Sequence, residues 1–230
     1  NKEDYKGRID LRDVETITID PTTAKDFDDA ITLSRDDKGN YLLGVHIADV
    51  SHFVKKGSEL DREAFLRANS TYFPTKVVPM LPENLSNNLC SLVEGKDRLT
   101  VSVLLEIDKN GKIIDREISK TVINSNKRIT YDEAFEILSK NKKNRHLALL
   151  KNMEELWHIF KKQRSERGSV ELALPDNQVI CDNEENPTHI QTHFYDITHQ
   201  MIEECMLKAN ETVAEELIEK DLGGIFRIHD

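Results

Sequence analysis

Four aspartates stand within ten positions of the sequence, at Asp20, Asp26, Asp28 and Asp29. Two like charges about 4 Å apart repel by roughly 4 kcal/mol at an effective dielectric constant near 20, so clustered carboxylates need compensation. A divalent cation supplies it, and hard oxygen ligands favour Mg²⁺, Mn²⁺ or Ca²⁺ over zinc. Four negative charges would balance two such ions, an arrangement that is used in phosphoryl chemistry.

The spacing alone leaves other interpretations open. Asp-rich loops are commonly solvated turns or helix caps. A calcium-binding EF-hand loop fits poorly, because Lys25 stands where glycine is required if the loop starts at Asp20. The aspartates by themselves therefore do not distinguish a nuclease from a phosphatase or a structural calcium site.

Two strand patterns flank the aspartates. Ile17 and Ile19 alternate in VETITID before them, and Ile31 and Leu33 alternate in DAITLS after them. Pro21 ends the first strand because it has no N–H to donate to a ladder. The sequence therefore predicts that the aspartates lie in a strand–loop–strand corner.

The remaining elements predict a mixed α/β (α+β) fold with strands early and long helices late. YLLGVHIADV reads as a buried strand, and turns are predicted at 36–40 and at Asn110-Gly111. Capping pairs Ser58–Asp61 and Thr130–Glu133 predict two helix starts. Three apolar stripes at helical spacing, which we interpret as core, are Leu60, Ala64 and Ala68; Leu150, Met153, Trp157 and Phe160; and Ile197, Met201, Cys205, Met206, Ala209 and Val213.

Composition excludes several classes of protein. Among 230 residues, 42 acidic and 32 basic side chains give a formal charge of −10, which argues against a simple basic nucleic-acid-binding module. No apolar run approaches the ~20 residues of a membrane span, and no signal segment opens the chain. Three scattered cysteines without a CxxC motif argue against a disulfide scaffold or structural zinc. We expect a cytoplasmic, monomeric protein with no membrane partner.

The chain resembles the ribonuclease II and ribonuclease R family, whose catalytic domain is the RNB domain, and the likeness is closest to the ribonuclease R branch. IDLRDVETITIDPTTAKDFDDAI is similar to the opening signature of that domain. GVHIADVSHFV, LDREAFLRANSTYFPTKVVPMLPENLSNNLCSL, RLTVSVLLEID, RITYDEAFEIL and IEECMLKANETVAEEL match further family blocks in the same order. The resemblance covers almost the whole chain.

The resemblance implies a processive, metal-dependent 3′→5′ exoribonuclease that degrades single-stranded RNA to nucleoside 5′-monophosphates. It implies two Mg²⁺ ions, with Mn²⁺ as the other option, held by Asp20, Asp26 and Asp29, and it makes Asp28 the aspartate most critical for the chemical step. Tyr72 matches a tyrosine that stacks on a base near the scissile end. The alternative is an inactive RNA-binding or scaffold domain of the same fold, which we would expect to have lost some of these aspartates.

The chain also departs from the family pattern. We interpret residues 1–230 as the N-terminal portion of one RNB domain, without the C-terminal portion and the flanking OB-fold RNA-binding domains. Leu172 stands where some members carry an aromatic residue that stacks on the bases.

Several other polar residues are given structural roles. His46, Asp49 and His52 could bind a metal by composition, but we expect a structural role. Solvated side chains are expected at His189, His193 and His199 and in the basic run Lys140, Lys142, Lys143 and Arg145. Arg12 and Lys25 are candidate ion-pair partners of the aspartates.

Overall fold

The early strands form one sheet in a computed structural model of the chain, which describes residues 2–140, 143–170, 176–193 and 195–226. The strands are β1 (Ile9–Leu11), β2 (Ile17–Asp20), β3 (Asp29–Arg35), β4 (Tyr41–Ala48), β5 (Thr71–Tyr72), β6 (Val77–Val78), β7 (Asp97–Ile107), β8 (Ile113–Asn124), β9 (Lys127–Thr130), β10 (Asp176–Cys181) and β11 (Pro187–His193). Seven of them pair in the order β1-β8-β7-β4-β3-β2-β9, and β5-β6 and β10-β11 are separate hairpins. The pairs β1–β8 and β2–β9 are parallel, and the other pairs are antiparallel.

The long helices lie in the second half of the chain, as predicted. The α-helices are α1 (Val50–Phe53), α2 (Glu59–Arg67), α3 (Tyr131–Ser139), α4 (Leu147–Glu166) and α5 (Ile197–Glu219). A short 3₁₀ helix covers Lys2–Tyr5 and a π-helical turn covers Leu85–Leu89. The mixed α/β class is therefore confirmed. Within the described ranges, no helix has the length and hydrophobicity of a membrane span.

The main core lies between the sheet and helices α3, α4 and α5. β4 contributes Leu43 and Val45, which are fully or almost fully buried. The methionines predicted to be core, Met153 of α4 and Met201 of α5, are both 1% exposed. The stripes on the two long helices are confirmed, because spacing near 3.6 residues turns these side chains toward the sheet.

A smaller core lies on the other face of the sheet and supports the aspartate corner. Partly buried Phe27 packs against it from the loop between β2 and β3. Its fully or nearly buried members are Ala30, Ala48, Leu85, Cys90, Leu92 and Ile123.

The predicted stripe on α2 is confirmed only in part, because Leu60 is partly buried and packs against the smaller core. No residue of α2 is buried, and Ala68 lies after its last residue with φ of 64°. Ser58 does cap the helix, since its side chain accepts from the Asp61 N–H at 3.2 Å. Capping therefore sets where this helix starts, and Leu60 is the stripe residue that meets the smaller core.

The other local predictions are confirmed. Thr130 and Glu133 form a reciprocal capping box at the start of α3. Gly39 and Gly111 have positive φ, 81° and 82°, in the turns of the β3–β4 and β7–β8 hairpins. β4 is the central strand of the sheet, which accounts for its nearly continuous apolar sequence.

Candidate active site

The four aspartates lie in the predicted corner. Asp20 is the last residue of β2 and Asp29 the first residue of β3, so the loop between them carries Asp26 and Asp28. The main-chain oxygen of Asp28 accepts from the N–H of Ala48 at 2.9 Å, which ties the end of the loop to β4. The strand–loop–strand prediction is confirmed.

Ser91 and Leu92 hold the middle of this loop. The Ser91 hydroxyl oxygen accepts from the Phe27 N–H at 3.0 Å, and the hydroxyl donates to the Lys25 carbonyl at 2.9 Å. The Leu92 N–H donates to the Phe27 carbonyl at 2.8 Å. Three hydrogen bonds from one short segment thus fix the backbone on both sides of Asp26.

Arg128 of β9 holds the start of the loop. Its Nη2 donates to the carbonyls of Pro21 at 2.6 Å and Thr22 at 3.1 Å. Its guanidinium carbon lies 5.4 Å from the centre of the Phe27 ring, within reach of a cation–π interaction. Its positive charge also acts on Asp20, so Arg128 is the cation that this corner uses.

The carboxylates perturb one another. Burial raises the pKa of Asp20 to about 7, and the charges of Asp29 and Asp26 contribute to the rise. Burial raises the pKa of Asp29 to about 6, with a contribution from the charge of Asp28. Partial burial of its carboxyl group, together with the charge of Asp26, also raises the pKa of Asp28, although the residue as a whole is exposed. Ionising Asp20, Asp28 and Asp29 together is therefore unfavourable unless a cation is present.

The donor set suits a hard divalent cation. Oδ2 of Asp20 is buried and has no hydrogen-bond partner, although an ionised carboxylate oxygen normally has one. A cation at this oxygen would stabilise the ionised form of each neighbouring carboxylate. In the part of the chain that the structure describes, no three His, Cys, Asp or Glu side chains form a group that could hold a metal ion as they stand. The roles of Asp20, Asp26 and Asp29 as ligands stay predictions.

Tyr131 is a neighbour of the aspartates that the sequence analysis missed. Burial raises the pKa of its hydroxyl well above the usual range, and the charges of Asp29 and Asp20 add to this shift. The phenol is therefore a neutral hydrogen-bond donor beside the carboxylates. Its ring stacks on His199, with centroids 3.8 Å apart, so His199 is not the solvated side chain we expected. The parallel pairing of Asp20 with Thr130 brings Tyr131 here.

Tyr72 lies on the β5–β6 hairpin and is 69% exposed, so its ring is free to stack on a base. Phe73, the next residue, is also exposed, and Nζ of Lys76 lies 5.8 Å from its ring centre. The proposed stacking by Tyr72 stays a prediction. Leu172 and the side chain of His193 lie outside the described residues.

The expectation that Arg12 pairs with the aspartate cluster is wrong. Arg12 forms ion pairs with Asp10 at 2.5 Å and with Asp97 at 3.0 Å instead. Asp10, two residues away, and Asp97, at the start of the neighbouring part of the sheet, take up the guanidinium instead. Arg128, which is distant in sequence, is the arginine whose positive charge acts on Asp20, while its hydrogen bonds go to the carbonyls of Pro21 and Thr22.

The structural interpretation of His46 and Asp49 is confirmed. His46 is fully buried and hydrogen-bonded to the hydroxyls of Ser102 at 2.7 Å and Thr32 at 3.2 Å. Burial lowers its pKa to about 4, so the ring is neutral. Asp49 lies beyond the end of β4, where it caps α1 and pairs with Arg8 at 2.6 Å. Both residues serve the fold.

Comparison with known proteins gives the family. The RNB domain matches residues 8–230, almost the whole chain. The chain belongs to the RNB domain family. This agrees with the blocks of sequence on which the resemblance to the family rested.

Several proteins similar to this chain are ribonuclease R proteins, which confirms the expected likeness to that branch of the family. Ribonuclease R of Chlamydia trachomatis is 47% identical over 97% of this chain, which spans 32% of that relative. Ribonuclease R of Thermotoga maritima is 45% identical over the whole chain, which spans 33% of it. Mycoplasma genitalium RNase R, solved in complex with double-stranded RNA, superposes with a TM-score of 0.94 at 35% identity, covering 100% of this chain and 41% of that one. The chain thus spans about a third of the length of these curated relatives.

Proposed function

We propose that this RNB domain works in a 3′→5′ exoribonuclease that hydrolyses single-stranded RNA to nucleoside 5′-monophosphates. The observation that carries the proposal is the corner between β2 and β3, which holds four aspartates near the start of the residues that match the RNB domain. Burial raises the pKa of three of them, Asp20, Asp28 and Asp29. Identity of 47% to a ribonuclease R supports it. Processive action, a cytoplasmic location and a monomeric state belong to the same proposal; three free cysteines fit the location.

Asp20, Asp26 and Asp29 hold the metal in this proposal, and Asp28 orients the attacking water. Divalent ions, when bound, supply charge that activates water and stabilises the leaving 3′ oxygen. The protein contributes position: Ser91, Leu92 and Arg128 fix the backbone from which the carboxylates project. Asp28 is exposed, so its carboxylate is free to accept a hydrogen bond from water at the scissile phosphate. Most of the catalytic gain then comes from preorganisation.

RNA is the proposed substrate, and Tyr72 is the proposed stacking residue. Stacking of a base on an aromatic ring is worth about 1–3 kcal/mol and tolerates any base, which suits an enzyme that degrades RNA of any sequence. The formal charge of −10 does not suit phosphate binding over the whole surface. We therefore propose that basic contacts to the strand come from other parts of a longer polypeptide, since the curated relatives are about three times as long.

An inactive RNA-binding or scaffold domain is the second candidate function. It requires the fold but not the carboxylates. All four aspartates are present, and Asp20 bears the cost of burial that raises its pKa. A domain without catalytic work would gain stability by replacing such a residue, so the enzyme is the better account.

The experiment is an incubation of 5′-labelled and 3′-labelled single-stranded RNA with the full-length protein, with Mg²⁺ or with EDTA. We expect the 5′-labelled strand to be converted to a short end product without accumulating intermediates, the 3′ label to appear as mononucleotide, and EDTA to stop both reactions. The matched DNA strand should survive. Intact RNA in Mg²⁺ and in Mn²⁺, with normal RNA binding, would favour the scaffold instead.

A further inference from the structure

Ser91 lies beneath the aspartate corner and has no solvent exposure. It follows the π-helical turn Leu85–Leu89, whose last hydrogen bond runs from the Cys90 N–H to the Leu85 carbonyl at 2.8 Å. Nε of Arg98 donates to the Ser91 carbonyl at 2.7 Å. The backbone of Ser91 is thus fixed from both sides before its side chain makes any contact.

The Ser91 hydroxyl acts as both donor and acceptor toward the loop between β2 and β3. It accepts from the Phe27 N–H and donates to the Lys25 carbonyl, at 3.0 and 2.9 Å. These two peptide groups lie on either side of Asp26, and Phe27 immediately precedes Asp28. One side chain therefore sets the backbone direction from which two of the four carboxylates project.

This support opposes the repulsion within the loop. The charge of Asp26 acts on both Asp20 and Asp28, so the carboxylates gain by moving apart when no cation is present. A freely moving loop would have to become ordered each time a cation binds, and the loss of conformational entropy would weaken cation binding. The bridge made by Ser91 keeps Asp26 and Asp28 close to one arrangement.

We propose that Ser91 is a positioning residue, which orients Asp26 and Asp28 for cation binding through the peptide groups of Lys25 and Phe27. The inference rests on the proposed function as far as catalysis is concerned. The effect of the Ser91 hydrogen bonds on the loop can be measured without any cleavage activity. Removal of a group that orients a metal ligand without binding the metal itself typically lowers metal affinity or activity by about 10–100-fold.

The test compares Ser91→Ala with Ser125→Ala in the full-length protein. Ser125 is also buried, at 1% exposure, but its hydroxyl donates to the Lys127 carbonyl, at 3.4 Å, and not to the backbone of the aspartate loop in the part of the chain that the structure describes. Three quantities are measured: the Mg²⁺ concentration for half-maximal RNA cleavage, the affinity for Mn²⁺ by calorimetry, and hydrogen exchange at the Phe27 amide in EDTA.

We expect Ser91→Ala to raise the Mg²⁺ requirement and weaken Mn²⁺ binding by about 10–100-fold, and to speed exchange at Phe27 without metal. Ser125→Ala should change none of these. Ser91→Thr, which keeps the hydroxyl, should restore slow exchange and most of the cation affinity. Unchanged values for Ser91→Ala, or equal changes in Ser125→Ala, would overturn the proposal.

The proposal stays testable if Ser91→Ala fails to fold or if the wild-type protein is inactive. If Ser91→Ala does not fold, Ser91→Cys replaces it; its thiol is a weak donor and acceptor, so an intermediate loss of Mn²⁺ affinity supports the bridge and wild-type affinity overturns it. If the wild-type protein does not cleave RNA, the proposed function fails. Exchange at Phe27 and Mn²⁺ binding then still decide whether Ser91 orients the loop.

Discussion

The ionised side chain of Asp20 should lower the free energy of unfolding when no metal is bound. Asp20→Asn should therefore stabilise the metal-free protein. Burial raises the pKa of Asp20 from 3.8 to about 7. Each unit is worth about 1.4 kcal/mol, so the ionised side chain costs the folded state up to about 4 kcal/mol. Asparagine has nearly the same shape and no charge. At pH 8 in EDTA, the variant should therefore be more stable than the wild type by about 1–4 kcal/mol.

The pH dependence of this difference gives a stricter test. Below pH 4 the carboxyl is protonated in both the folded and the unfolded chain, so the two proteins should be about equally stable. Between pH 4 and pH 7 the unfolded chain ionises first, so wild-type stability falls as pH rises. Above pH 7 both states are ionised and the gap should be constant. Mg²⁺ at pH 8 should close the gap, because it binds the folded wild type preferentially.

The assay is urea unfolding of the 230-residue chain followed by fluorescence of Trp157, its single tryptophan, which packs against the main core. Unfolding curves are recorded at pH 4, 6 and 8 for the wild type, Asp20→Asn and Asp37→Asn. Asp37 is an exposed residue of the β3–β4 turn and controls for the removal of one negative charge. A gain at pH 8 no larger than that of Asp37→Asn, or a gain independent of pH, would refute the account of Asp20.

Three more predictions concern activity and acid stability. Asp28→Asn in the full-length protein should abolish cleavage while RNA binding, measured by anisotropy, remains; near-normal turnover would remove Asp28 from the chemistry. Tyr72→Ala should weaken binding of short RNA by about 1–3 kcal/mol and lengthen the smallest product on a gel, and an unchanged product ladder would contradict its stacking role. Burial lowers the pKa of His46 to about 4, so its contribution to stability is full above pH 6.5 and is lost as pH falls toward 4. His46→Gln should reduce that acid sensitivity by up to about 3 kcal/mol in unfolding experiments, and an equally steep loss in the variant would exclude His46 as the cause.

Local patterns in the sequence predicted the elements but not all of the contacts between them. The stripes through Met153 and Met201 were confirmed because helical spacing and burial follow directly from residue order. The corner at Asp20 was predicted for the same reason, since Pro21 and the flanking alternation are local signals. The stripe on α2 was only partly right, because Leu60 meets the smaller core whereas Ala68 lies beyond the end of the helix.

The missing parts of the site come from long-range pairing. Tyr131 and Arg128 reach Asp20 only because β9 pairs in parallel with β2, and nothing in the sequence of either strand specifies that partner. Ser91 was overlooked because a buried serine has no distinctive spacing. Arg12 was assigned to the cluster on proximity along the chain, whereas its shortest path to a carboxylate leads to Asp10.

The supports of the aspartate loop are also spread along the chain, and this has a consequence for biosynthesis. All four carboxylates precede Ala48, Ser91 and Arg128, which hold them in place. At about 5–20 residues per second, the roughly 100 residues between the loop and Arg128 take about 5–20 s to translate. A nascent chain therefore emerges with its acidic corner unformed, and, if the corner works as we propose, a ribosome-bound intermediate cannot yet hydrolyse the messenger that encodes it.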